Sequence, residues 1–292
     1  MNIGITGATG FIGHRLIDVA LRRGHEVIAF SRNPEAPIPG CEMRVFSESK
    51  VPDISKCEAL VHLAGEPVFG LWTPSKKRRI RESRVQGTRR IVEAINASAT
   101  PPEVFVSGSA IGYYGESGER ELTELSASSD GGFLSRVCHE WEAEAIKAIS
   151  TRVVLLRTSI VLGKQSGALK MMAPIFRAGL GGKLGSGDQW MSWIHIEDEI
   201  RLILFAIENM DIAGPLNASA PWPVRNAEFT ETLARTVHRP AFLHVPAFAL
   251  LPLGEFRSEL LDSKRVLPAV ASDHQFGFQF PELGSALKHL LG

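Results

Sequence analysis

The chain has 292 residues, 44% apolar and 22% charged, with 32 basic and 32 acidic side chains. That length allows one large or two small domains with a sizeable core. The zero net charge gives no reason to expect nucleic acid or an anionic membrane as partner, and no apolar run approaches the roughly 20 residues that span a bilayer. Cys41, Cys57 and Cys138 are scattered and form neither a disulfide framework nor a metal-ligand spacing. No metal is expected. The first residues read as a strand and not as a signal peptide, so a cytoplasmic protein is expected, with an organelle matrix as the other compartment. A small-molecule substrate and a monomer or homodimer complete that reading.

Taken in chain order, apolar runs predict strands over 2–6, 26–30, 43–46, 59–63, 104–107 and 153–157. Several are almost wholly apolar, as strands buried on both faces are. Helical patterning predicts helices near 11–23, 76–98 and 133–149, the first stopped by Gly24 as a left-handed cap. This alternation predicts an α/β fold: a Rossmann-type doubly wound parallel sheet over residues 1–162. Beyond Leu162 glycine and proline thicken over 163–187, and further helices are predicted near 197–209, 226–237 and 247–262. Residues 163–292 read as a smaller, mixed C-terminal substrate domain closing over the crevice. The chain is expected to return to the sheet near 215–218, and 179–187 reads as a glycine-rich lid.

The first strand runs into Thr6-Gly7-Ala8-Thr9-Gly10-Phe11-Ile12-Gly13, which opens a helix. In that context Gly7 permits a tight turn, Gly10 lets the backbone approach a pyrophosphate, and Gly13 lets the helix pack close to the sheet. The helix N-terminus offers N–H groups and a positive dipole end to phosphates. Gly7, Thr9, Gly10, Phe11, Ile12 and Gly13 are therefore candidate cofactor contacts. At the end of the second strand, where an acidic residue would select NAD, the chain has Ser31 and Arg32. An arginine there pairs with a 2′-phosphate, so NADP(H) is the expected cofactor. Leu63, Ala64 and Gly65 end the fourth strand, and small residues there let a nucleotide lie across the strand tips.

Most of the basic run 76–81 reads as a solvated helix face. Arg84 differs, because it shares a stripe with Ile80, Thr88, Ile91 and Ile95 and so faces the sheet. A buried arginine needs an anion: a cofactor phosphate or a carboxylate such as Glu66, which reads as Arg84's partner more than as a base. Trp72, Trp190 and Trp193 line either a pocket or the core, with packing the plainer reading. His195 reads as connecting structure.

The glycine turn, His62-Leu63-Ala64-Gly65, Val106-Ser107-Gly108-Ser109, the run from Leu156 to Gly163 and Trp193-Ile194-His195-Ile196-Glu197-Asp198 resemble the extended short-chain dehydrogenase/reductase superfamily, in its epimerase branch. Ala64-Gly65-Glu66, Ser83-Arg84-Val85, Trp141-Glu142, Gly185-Ser186-Gly187-Asp188-Gln189 and Gly277-Phe278-Gln279-Phe280-Pro281 narrow this to its atypical, YfcH-like subgroup. The resemblance spans nearly the whole chain. It implies NADPH contacts at the glycine turn, Ser31, Arg32, Leu63, Ala64, Arg84 and the backbone near Ile160, and leaves the substrate undefined.

Ordinary members of that superfamily use a tyrosine and a lysine four residues later on one helix, the lysine charge making the tyrosine a usable acid/base. This chain has two tyrosines, Tyr113 and Tyr114, followed four residues on by Ser117 and Gly118. Alignment through Trp141-Glu142 places Leu134 and Cys138 at the two positions. Ser109 holds the place of the substrate-orienting serine, and Tyr113, in the adjoining loop, is the candidate substitute proton donor. Two functions follow: hydride transfer at a carbonyl or alcohol with a non-standard proton donor, or a catalytically silent NADP(H)-binding sensor or scaffold.

Overall fold

A computed structural model describes residues 1–33, 35–128, 131–164 and 167–292. The sequence alternation folds as seven strands: β1 Asn2–Thr6, β2 Glu26–Ser31, β3 Cys41–Val45, β4 Ala59–His62, β5 Val104–Ala110, β6 Arg152–Thr158 and β7 Gly214–Ala218. They form one sheet in the order β7-β6-β5-β4-β1-β2-β3, parallel at every pairing. The order reverses between β1 and β4, so the connections leaving these two strands run to opposite faces of the sheet and open a crevice at the carboxyl ends.

Helices cover both faces. On one face α1 (Phe11–Arg22) and α5 (Ile196–Glu208) pack with Leu16, Ile17, Ala20, Ile200 and Ile203 against Ile3, Ile5, Val61 and Val106. On the other, α2 (Pro74–Ala97) and α3 (Phe133–Ala145) bring Ile91, Ile95 and Ala145 against Leu60 and Phe105. Gly24 ends the first helical segment at φ +80°, the left-handed geometry that a glycine adopts without strain. Thr73 caps α2, its hydroxyl accepting from the Lys76 amide at 3.2 Å, and Pro74 follows as the first helical residue.

The C-terminal half crosses back, placing β7 at the sheet edge beside β6. Its own core joins α4 (Gly167–Arg177), α6 (Asn226–Thr236) and α7 (Leu283–Leu291) through Leu169, Phe176, Trp193, Phe229, Leu233 and Leu287. Two expectations are corrected here. No single helix spans 247–262: Pro252 lacks an amide and Gly254 turns to φ +60°, so a 3-10 segment, Ala247–Phe256, gives way to a separate helix at Arg257–Leu261. Segment 179–187 is not a free lid, because Gly182–Leu184 pairs in parallel with Leu243–Val245. The Leu184 amide donates to Asn226 at 2.8 Å, and the Ala227 amide to Gly187 at 2.9 Å, which closes the stitch. Among the described residues no helix is long and apolar enough to cross a membrane.

One buried carboxyl group stands out in this framework. Glu199, in the first turn of α5, is fully buried, and one carboxyl oxygen accepts from Thr158 Oγ1 at 3.0 Å while the other finds no partner among the described residues. Burial pushes its pKa up to about 8, so the folded protein holds a proton there that the unfolded chain releases near pH 4.5. Its contribution to stability is full below about pH 4.5 and is lost as pH rises through about 8. Glu199→Gln removes that dependence. Urea titrations between pH 6 and pH 8 should show wild type losing stability relative to the variant by at most about 1.4 kcal/mol per pH unit; parallel curves would contradict the assignment.

Candidate functional site

The site begins where β1 meets β4. Gly7 has φ +68°, and a Cβ there would lie 2.8 Å from the Leu63 carbonyl and 2.9 Å from the Ala64 nitrogen. Thr6 fixes this junction from below: its hydroxyl oxygen accepts from the Leu63 and Ala64 amides at 3.2 and 3.3 Å. With both lone pairs engaged, its proton goes to His62 Nδ1 at 2.6 Å, which places the imidazole proton on Nε2. His62 is wholly buried and burial holds its pKa down to about 3, so it is neutral.

The Gly10 amide donates to the Gly7 carbonyl at 2.8 Å and closes the turn. A Cβ on Gly13 would fall 2.2 Å from the Gly7 oxygen, so only glycine lets α1 start this close to the strand. Gly10 is the N-cap of α1 and no side chain caps the helix, which leaves the first-turn amides of Phe11, Ile12 and Gly13 to the crevice. Thr9 is exposed beside them. The Phe11 ring packs over Gly163, where a Cβ would come within 2.2 Å of it. Ile160, at the start of the strand Ile160–Gly163, donates its amide to Ser192 at 3.2 Å.

Two cations flank this cradle. Arg32 is exposed one residue past β2 and has no carboxylate partner among the described residues, while Ser31 accepts from the Asn33 amide at 3.1 Å. Arg84 is partly buried against the ring of Trp141, 5.2 Å from its centroid, with its guanidinium beside Gly65. It donates to the main-chain carbonyls of Glu66 and Ile80 at 2.9 and 3.2 Å. The expected Arg84–Glu66 ion pair does not form. The Glu66 carboxylate turns to Lys76 at 2.8 Å and Arg79 at 3.3 Å, nearer the helix start, and the hydrogen bond from Lys76 draws its pKa down. Burial pushes the Arg84 pKa below its ordinary value, and the charges of the nearby Cys138 and Glu66 offset that only in part.

Beyond the tip of β5 a buried polar chain crosses the fold. Ser109 donates to Glu142 Oε1 at 2.6 Å, so its one proton is committed. Arg157 grips both oxygens of Glu142 at 2.9 Å and reaches the Tyr114 hydroxyl at 3.0 Å. Tyr114 donates to Asn217 at 2.7 Å. Burial works against the Arg157 charge, but the bidentate bonds and charge of Glu142 outweigh it and raise its pKa. Tyr113 lies face-on to Arg157, 3.5 Å from the guanidinium carbon to the ring centroid, with His139 on it at 4.4 Å between centroids. Burial lifts the carboxyl pKa of Glu124, which nonetheless gathers the Asn217, Ala269 and Val270 amides and ties the C-terminal segment to this chain.

Glu142 was not singled out for chemistry from sequence, although the stripe argument that found Arg84 applies to it. Leu134, Cys138 and Glu142 stand at i, i+4 and i+8 on α3, and all three are buried. His195 caps α5 by accepting from the Glu197 amide at 3.0 Å and stacks on Phe280, which explains its burial without chemistry. Trp72 and Trp193 are core residues, and Trp190 carries Arg225 and Arg265 over its ring, so the three do not share a pocket.

With this geometry in place, the sequence profile described as the NAD dependent epimerase/dehydratase family matches residues 3–218. The chain belongs to that family. Residues 245–290 match a second profile, a domain of unknown function, DUF1731. Across its full length the chain is 39% identical to epimerase family protein YfhF of Bacillus subtilis, covering 98% of it. It is likewise 39% identical to the chloroplastic SDR39U1 homologue of Arabidopsis thaliana, covering 87% of that protein. The crystal structure of human SDR39U1 (isoform 2) with NADPH superimposes with a TM-score of 0.93 at 34% identity, covering 100% of this chain and 99% of the other.

The Arg157–Glu142 pair yields a test of what holds the site together. Arg157→Met strands a buried carboxylate and should cost about 3–5 kcal/mol in urea denaturation. Joint replacement with Glu142→Leu should recover most of that loss. A double variant no more stable than the single would show that the pair is not the unit.

Proposed function

We propose that this chain binds NADPH across the β1/β4 crevice and transfers a hydride between that cofactor and a carbonyl or alcohol substrate. One observation carries the reading: an uncapped helix N-terminus behind a turn closed to any Cβ at Gly7 and Gly13, flanked by Arg32 and Arg84, both without carboxylate partners among the described residues. The residues fit the group. The amides of Phe11, Ile12 and Gly13 would hold the pyrophosphate, with Thr9 beside them. Arg32 and Ser31 hold the 2′-phosphate, in keeping with the NADPH bound in human SDR39U1. Leu63, Ala64 and Ile160 border the path of the nucleotide, and Arg84 faces it at Gly65.

When bound, the cofactor supplies the hydride chemistry. The chain must place the substrate and move a proton to or from its oxygen. Tyr113 is the assigned proton donor, since among the described residues its hydroxyl has no hydrogen-bond partner. Ser109, whose proton already goes to Glu142, can only accept, and so orients the alcohol form of the substrate through that hydroxyl.

A second reading, a silent NADP(H)-binding sensor or scaffold, is favoured by one feature. The α3 positions that carry the acid/base pair in ordinary members hold Leu134 and Cys138, both buried, and burial pushes the Cys138 thiol up to about 12. A panel of carbonyl compounds separates the two readings. NADPH oxidation that falls at least tenfold in Tyr113→Phe with unchanged NADPH affinity supports turnover; tight NADPH binding with no turnover supports the silent protein. Arg32→Ala should weaken NADPH binding at least tenfold and leave NADH binding nearly unchanged, by calorimetric titration. Equal losses would contradict the 2′-phosphate contact.

A further inference from the structure

Four elements meet just beyond the carboxyl ends of β4 and β5. Val68 and Trp72 come from the loop after β4, Ile80 from the second turn of α2, Phe133 and Leu134 from the start of α3, and Leu253, Phe256 and Leu260 from the C-terminal region. They form an apolar cluster separate from the sheet cores. Its position is set by topology: α2 and α3 both begin at the crevice edge of the sheet, and Arg84 lies one turn further along α2 than Ile80. Leu134 thus brings hydrocarbon to the place where ordinary members of the superfamily have a polar acid.

The two segments that build the outer part of this cluster also present apolar side chains to solvent. Phe69 is 55% exposed, Leu71 56%, Phe248 72% and Leu251 55%. The segments touch, with Phe69 edge-on to Phe256 at 5.1 Å between ring centroids and Leu71 Cδ1 3.6 Å from where a Cβ on Gly254 would stand. Single exposed apolar side chains are ordinary on a monomer; four on two touching segments are what a binding face requires. Leu134 ties the cluster beneath this face to the loop that carries Tyr113: a Cβ on the neighbouring Gly112 would lie 3.5 Å from the Leu134 Cβ.

The charges beside it select the occupant. A sugar nucleotide brings a diphosphate, which needs convergent cations free to bind it. Lys77, which lies over the Phe133 ring at 4.8 Å, is held by both carboxylate oxygens of Glu255 at 2.7 and 2.8 Å. Lys76 and Arg79 serve Glu66, and Lys264 reaches Glu259 at 3.4 Å. The exposed Arg78 on α2, Arg136 on α3 and Arg257 have no carboxylate partner among the described residues, but they stand on three separate elements. Glu255 and Glu259 on the same stretch repel an anion.

We propose that the crevice takes a substrate with a hydrocarbon body, a lipophilic ketone or secondary alcohol, in place of a sugar nucleotide. The inference rests on the NADPH reading above and deepens it. The test titrates NADPH-saturated protein with 2-alkanones from butanone to decanone and with UDP-glucose, by calorimetry. Affinity for the ketones should rise two- to fourfold per methylene until the face is filled, in line with burial of each CH2, and UDP-glucose should bind more weakly than decanone. Leu71→Ser and Phe248→Ser, both at exposed positions, should flatten the chain-length dependence and leave the affinity for NADPH unchanged.

Three results would overturn the proposal: affinity independent of chain length, UDP-glucose outcompeting decanone, or a sedimentation measurement in which Leu71→Ser with Phe248→Ser splits a dimer while ketone binding is unchanged. The last would give the face to a second copy of the chain. Titration of wild type with NADPH alone reports separately on the cofactor reading, and running the ketone series without NADPH keeps the two failures apart.

Discussion

Everything at the crevice depends on how closely the end of β1 approaches the end of β4. At Gly7 the two backbones leave no space for a Cβ, and at Gly13 the same holds between helix and turn. A single methyl at either position would force backbone against backbone, which cannot relax as a flexible side chain can. This contact brings the start of α1 to the strand tips and turns its unsatisfied amides toward the gap. Thr6, fully buried, bridges the junction with its hydroxyl and uses neutral His62 as its proton acceptor.

The rest of the fold serves to keep that geometry rigid. Both faces of the sheet are covered, which is why its strands are nearly free of polar side chains. The C-terminal region does more than cover the crevice. Glu124 draws the Ala269 and Val270 amides onto the chain that runs through Asn217, Tyr114 and Arg157 to Glu142 and Ser109. The C-terminal segment is thereby joined through hydrogen-bonded groups to Ser109 at the end of β5. Such a network is costly to break at any member and favours one arrangement of the site.

The parallel, doubly wound sheet and the glycine turn were legible in the sequence because each rests on local information: apolar runs, turn glycines and a helix stripe. The late strand was visible at 215–218 for the same reason. What escaped depends on tertiary choice. Glu66 stood within reach of three cations, and only the fold shows that it takes Lys76 and Arg79 while Arg84 turns to main-chain carbonyls. Segment 179–187 looked mobile from its glycines, but its backbone is paired with a strand more than fifty residues further on. The break in 247–262 could have been read from Pro252 and Gly254. Glu142 was hidden by its place in an otherwise ordinary helix, and its partner Arg157 lies on a strand.

The central physical claim is that the first-turn amides of α1 receive a dinucleotide's pyrophosphate. Amide proton–nitrogen correlation spectra of the isotope-labelled protein, recorded during titration with NADPH, examine those groups one by one. The expected result is saturable shifts at Gly10, Phe11, Ile12 and Gly13 together with Arg32, at one equivalent of NADPH. NADPH that binds but moves amides elsewhere, leaving these unchanged, would contradict it.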